Sequence, residues 1–182
     1  MSINRAISQR PSRWNESETA VTLYAFLKLL HVVSAMWLVS GLLGRAVALS
    51  SARRAPDMRI LKAIADVSGR LENLMIAPGI VAVLATGIVT AIAGGLSLFG
   101  PFDGGPLWVF IPLAIMVLAV VTTPMTLARD RRWGEALEDA AAQGVVTDRL
   151  RPFLDARAML RRYARDITAV AIIVVLMVLK PF

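Results

Sequence analysis

The sequence predicts an all-α fold, an integral membrane four-helix bundle with cytoplasmic helical extensions. Three observations carry that reading. The 182 residues are 57% hydrophobic with a mean hydropathy of +0.64, more apolar surface than a soluble interior of this size can hide. The charged residues, 18% of the chain, are gathered into short blocks between long apolar runs. Four of those runs approach or exceed the roughly 20 residues that a helix needs to cross a bilayer.

Residues 1–20 are polar and lack the apolar core of a signal peptide, so they are expected to form a disordered N-terminal tail. Residues 21–182 then make up one transmembrane domain. Its expected spans are about 21–49, 74–99, 107–128 and 164–180. The last has a short apolar run, Ile167 to Leu179, completed by flanking residues such as Ala164.

The segment between the first two spans carries Arg53, Arg54, Arg59, Lys62 and Arg70. Nine arginines, from Arg129 to Arg165, separate the last two, and the middle connection GPFDGGP has no basic residue. Cytoplasmic loops carry the excess of Lys and Arg, so both basic segments are expected in the cytoplasm and both termini outside, in a multi-pass protein of the cell inner (plasma) membrane. The same clustering accounts for the net charge of +7. With no basic stripe elsewhere, the lipid bilayer is the expected partner and nucleic acid is not. A homo-oligomer or a membrane protein partner stays open.

The first basic segment reads as a helix. Asp57 can cap it, and Leu61, Ile64, Ala65, Ser68, Leu71 and Met75 fall near helical spacing while Arg59, Lys62, Asp66 and Arg70 point away. In the second basic segment Gly144 interrupts a helical run, so the third span can continue past Trp133. Thr147 can cap the next helix, with Pro152 in or near its first turn. The second span carries the packing signal. Gly79, Gly87, Ala91 and Gly95 recur at multiples of four, as do Ala82, Thr86, Thr90 and Gly94, and small residues let helices approach. Pro112 and Pro124 should kink the third span or be absorbed by its neighbours.

His31 is the one histidine, inside the first span. An ionisable residue in a membrane is costly and suggests function; imidazole can ligate a metal or haem iron, or bond to a neighbouring helix. At 1.5 Å per residue, His31 lies about 12 Å below the outer surface, a depth matched by Met116 and Met177. His and Met are a familiar pair of haem axial ligands, although Met is also ordinary filler in apolar bundles. Lys28 lies one turn above His31, and Lys180 ends the fourth span at the outer level. Both can snorkel to headgroups or neutralise haem propionates. Arg45 reads as an interfacial anchor.

No carboxylate falls in a span interior, which argues against a carboxylate proton relay. No cysteine is present, which excludes disulfides and thiolate sites. Walker, dinucleotide-binding, HExxH and nucleophile-elbow motifs are absent, so the expectation leans away from an enzyme.

The stretch LKLLHVVSAMWLVSGLLGRAVAL resembles the first helix of a family of predicted integral membrane proteins of unknown function, DUF2269-like, in the broader set of copper-resistance D proteins and HemJ-type protoporphyrinogen oxidases. IAPGIVAVLATGI, GPLWVFIPLAIMVLAVV and the ending LMVLKPF agree with it. The resemblance implies a four-helix bundle in a bacterial inner membrane. HemJ-type relatives are thought to hold haem b through a first-helix histidine, which matches His31. Copper handling would want several His, Met or Cys clusters facing the outside, and the chain has neither a second histidine nor any cysteine. The resulting expectations are a b-type haem-binding or electron-transfer module, a non-catalytic membrane scaffold or accessory subunit, or a HemJ-like oxidase.

Overall fold

The computed structural model describes residues 13–52, 55, 57–145, 147–150 and 156–180. Among these every regular element is helical: α1 (Arg13–Ala52), α2 (Met58–Leu71), a π-helical turn (Glu72–Ile76), α3 (Ala77–Ala93), a 3-10 turn (Gly100–Phe102), α4 (Leu107–Gln143) and α5 (Ala156–Leu179). Three segments are long and apolar enough to cross a membrane: Val21–Ala52, Met58–Ala93 and Leu107–Gln143. Among the described residues there are therefore three membrane-capable helices, with α5 a further helix that is apolar over its second half.

α1 begins at Arg13, inside the stretch expected to be a tail; the tail expectation for residues 1–12 lies outside the described residues. Asp57 caps α2 as its position suggested, its carboxylate accepting from Ile60 N at 2.8 Å. Leu61, Ala65 and Ser68 are buried on one face, while Arg59, Asp66 and Arg70 are exposed. The π turn then carries the backbone from α2 into α3 without a break.

α3 ends at Ala93, short of the expected span end at Phe99. Gly95 takes a left-handed φ of 68° and Leu96 N bonds back to Ala91 O at 2.9 Å, a closure that turns the chain out of the helix. Gly144 does the same for α4 at φ 67°. Thus α4 does run on past Trp133, by ten residues, before it stops. Thr147 does not start a helix; its carbonyl accepts from Leu150 N at 3.0 Å in a turn. Pro152 lies outside the described residues. α4 stays continuous through Pro112 and Pro124.

Two apolar clusters organise the molecule. One, at the end carrying the basic segments (the basic end), unites Ala52 of α1, Leu61 and Ala65 of α2, Ala136, Leu137 and Ala140 of α4, and Leu150. The other, nearer the end formed by the 94–106 connection (the turn end), contains Leu38, Ile76, Val83 and Met116.

Candidate functional site

Tyr24, His31, Leu38 and Arg45 are spaced seven residues apart on α1. A seven-residue repeat is close to two helical turns, so the four lie along one stripe of the helix. The stripe faces α3 and its π turn, which run antiparallel to α1. Opposite the first three positions stand glycines. A Cβ at Gly94 would come within 2.8 Å of the Tyr24 hydroxyl, one at Gly87 within 3.0 Å of His31 Cε1, and one at Gly79 within 3.1 Å of the Leu38 backbone. Each large side chain on α1 thus lies over a gap in α3, which brings the helices close without hydrophobic drive from water. Arg45, the fourth position, meets Glu72.

The His31 rung is polar. Its Nδ1 lies 3.1 Å from Thr86 Oγ1, and Thr86 Oγ1 donates to Ala82 O at 2.6 Å. A hydroxyl has one proton. With that proton on the Ala82 carbonyl, Thr86 accepts from His31 Nδ1–H, and the lone pair of the neutral imidazole is left on Nε2. Thr90 bonds only its own helix, to Thr86 O at 2.7 Å.

The other residues singled out for this site are arranged as follows. Met116 is buried in the cluster of Leu38, Ile76 and Val83, with Ile173 of α5 packed on it; Leu38 is two turns along α1 from His31. Met177 is half-buried on α5. Lys28 Nζ lies over the Tyr24 ring, 4.2 Å from its centroid, and Lys180 Nζ lies over the Trp108 ring at 5.2 Å. Both ammonium groups at the turn end are therefore held by cation–π contacts.

At the basic end Arg45 does more than anchor α1 at an interface. Its Nη1 pairs with Glu72 Oε2 and its Nη2 with Asp130 Oδ2 at 2.7 Å. Side-chain exposures of 19% for Arg45 and Glu72 and 25% for Asp130 show that all three groups are largely withdrawn from solvent. Asp166 of α5 is close enough to Glu72 to act on it electrostatically. The sequence reading placed Glu72 and Asp130 outside the spans, each by two residues, and so overlooked them. Two signals could have found them: their level with Arg45, and the seven-residue series that ends there. The π turn beginning at Glu72 is a further mark, since such turns inside helices are frequent at functional sites.

The family model for DUF2269, described as predicted integral membrane protein, matches residues 25–181. No curated protein and no solved structure matches the chain.

Proposed function

Because the chain belongs to the DUF2269 family of predicted integral membrane proteins, we propose that it works inside the bilayer as a four-span module, with α5 as the fourth span, that holds a b-type haem through Nε2 of His31. One observation carries the reading: with its own proton on Ala82 O, Thr86 Oγ1 accepts from His31 Nδ1–H, which favours the tautomer whose Nε2 lone pair can bond to iron. The donor chemistry of His31 would therefore suit it as an iron ligand. Of the two methionines, Met177 is the more available second donor, since Met116 is committed to the apolar cluster. Lys28 and Lys180 would meet propionates by leaving their aromatic rings. When bound, such a group supplies one-electron transfer.

The test is an absorption spectrum of the protein purified after expression with ample haem precursor. A Soret band that His31→Ala removes, and that Met75→Leu leaves alone, supports the proposal. A haem-free wild type, or a His31→Ala variant with a wild-type spectrum, ends it. The second reading, a non-catalytic scaffold or accessory subunit, is favoured by the position of His31 as one rung among Tyr24, Leu38 and Arg45, where an interhelical hydrogen bond satisfies it.

The proposal also sets the module in the cell inner membrane with both termini outside and the basic end in the cytoplasm, from the distribution of Lys and Arg. Cysteines at Phe102 and Val145, both exposed, should react with an impermeant reagent from opposite sides of the membrane. Labelling of the Val145 position in intact cells would reverse the orientation.

A further inference from the structure

The Arg45 pairs fix a common level at the basic end: Arg45 on α1, Glu72 before α3 and Asp130 on α4 meet directly. Within two residues of these points stand Arg70, Arg129, Arg131 and Arg132, all exposed. Two residues of helix rise is about 3 Å, so the backbone positions of the four arginines fall in one narrow layer. At about 100° per residue, the arginines beside Asp130 are turned away from the face that Asp130 presents to Arg45. Glu72 and Asp130 go inward to Arg45, and the four arginines are exposed. Among the described residues none of the four has a carboxylate partner. Arg165 adds a fifth, exposed and bonded to Asp166 at 2.9 Å.

The surface changes abruptly on either side of this layer. Toward the membrane it is apolar: Leu74 is 67% exposed, Met125 77% and Ile167 43%. Away from the membrane the charges are of both signs, with Glu135, Glu138, Asp139, Asp66 and Arg59 exposed. A girdle dominated by positive charge therefore borders directly on exposed hydrocarbon. A soluble acidic protein would match the charge and leave the apolar border unexplained. A lipid with an anionic headgroup matches both, its phosphate at the arginines and its acyl chains along Leu74, Met125 and Ile167. Among the described residues, the lysines Lys28 and Lys180 at the turn end are instead seated on aromatic rings.

We propose that Arg70, Arg129, Arg131 and Arg132 form a binding girdle for anionic phospholipid around the basic end. The girdle does not depend on whether His31 binds haem. It attracts negative headgroups with roughly fivefold in affinity for each arginine, the equivalent of about 1 kcal/mol per basic residue at a membrane surface.

The experiment uses the full chain in neutral detergent micelles, titrated with phosphatidylglycerol, phosphatidylcholine or inorganic phosphate while thermal unfolding is followed. Bound lipids are counted in parallel by native mass spectrometry. Phosphatidylglycerol should raise the melting temperature and remain bound, whereas phosphatidylcholine and phosphate should not. The exposed double variant Arg129→Gln/Arg132→Gln should melt like wild type without lipid and bind phosphatidylglycerol roughly 25-fold more weakly. Arg59→Gln, three turns from the girdle, should respond as wild type. An equal response to phosphatidylcholine, a full response to phosphate alone, or wild-type phosphatidylglycerol binding by the double variant would each overturn the proposal.

Discussion

At the basic end Leu150 and Ala140 are completely buried and Leu137 is 3% exposed, sealed between α2 and the far part of α4. The surface around them carries Arg59, Asp66, Glu135, Glu138 and Asp139, so the solvent there is water. The cluster of Leu38, Ile76, Val83 and Met116 is different. It is smaller, and the flanks of its helices expose Met36, Val81 and Val121, each more than 60% open in the isolated chain. Their solvent is lipid. In the first region apolar burial is driven by release from water. In the second, lipid tails are as apolar as leucine, and close contact, hydrogen bonds and ion pairs must hold the helices. The same residue types therefore do different work at the two ends, which explains why the α1–α3 contact is built on glycines and the basic-end cluster on leucines and alanines.

That contrast can be broken by truncating one leucine in each region and comparing unfolding in detergent. Leu150→Ala should cost about 2–5 kcal/mol, the transfer and cavity terms together. Leu38→Ala should cost about half as much, because the lipid-like solvent removes most of the transfer term and leaves the lost packing. Equal losses would show that the two clusters face the same solvent. The next largest effect is expected at Arg45. Arg45→Ala leaves Glu72 and Asp130 facing one another in a largely enclosed site and should cost about 2–3 kcal/mol, below the fully buried range because the groups keep some solvent contact. Adding Glu72→Gln to that variant should restore part of the loss; a purely additive double variant would sink the ion-pair account.

Gly87→Leu tests the glycine contact directly. Its new side chain would collide with the His31 ring, for a cost of about 1–3 kcal/mol, while the exposed Val89→Leu should stay within about 0.5 kcal/mol of wild type. Matching thermal stabilities for the two would mean that this face of α3 does not bear on α1. The smallest effect belongs to the hydrogen bond. Thr86→Val should lose about 0.6–1 kcal/mol, and once His31 is alanine the same change should lose less. A Thr86 effect independent of residue 31 would separate the two side chains.

Much of this architecture is legible in the order of residues. Asp57 ahead of a helical pattern, the Gly144 stop, the extension of α4 past Trp133 and the small-residue positions of α3 all follow from local rules. Local conformation and the contrast of apolar with polar surface act over a few turns, and a few turns are what a sequence displays. Other features depend on the backbone turn the chain takes or on a partner distant in sequence. The expected second span ran to Phe99, but the left-handed Gly95 closes the helix near Tyr24 of α1. Glu72 and Asp130 looked like residues outside the membrane until Arg45 was found between them.

By itself, then, the sequence determined that the chain is a helical membrane protein, because the cost of exposing backbone and charge to hydrocarbon leaves few alternatives. It also determined which side chains carry unusual chemistry, His31 above all. Only the tertiary structure decided what they touch. The seven-residue series Tyr24, His31, Leu38 and Arg45 acquires meaning when Gly94, Gly87, Gly79 and Glu72 are opposite it. The hydrogen-bond partner of His31 Nδ1 is Thr86, 55 residues away in sequence. Such pairings depend on the register between helices, which is set by packing across the bundle and not by any one helix alone.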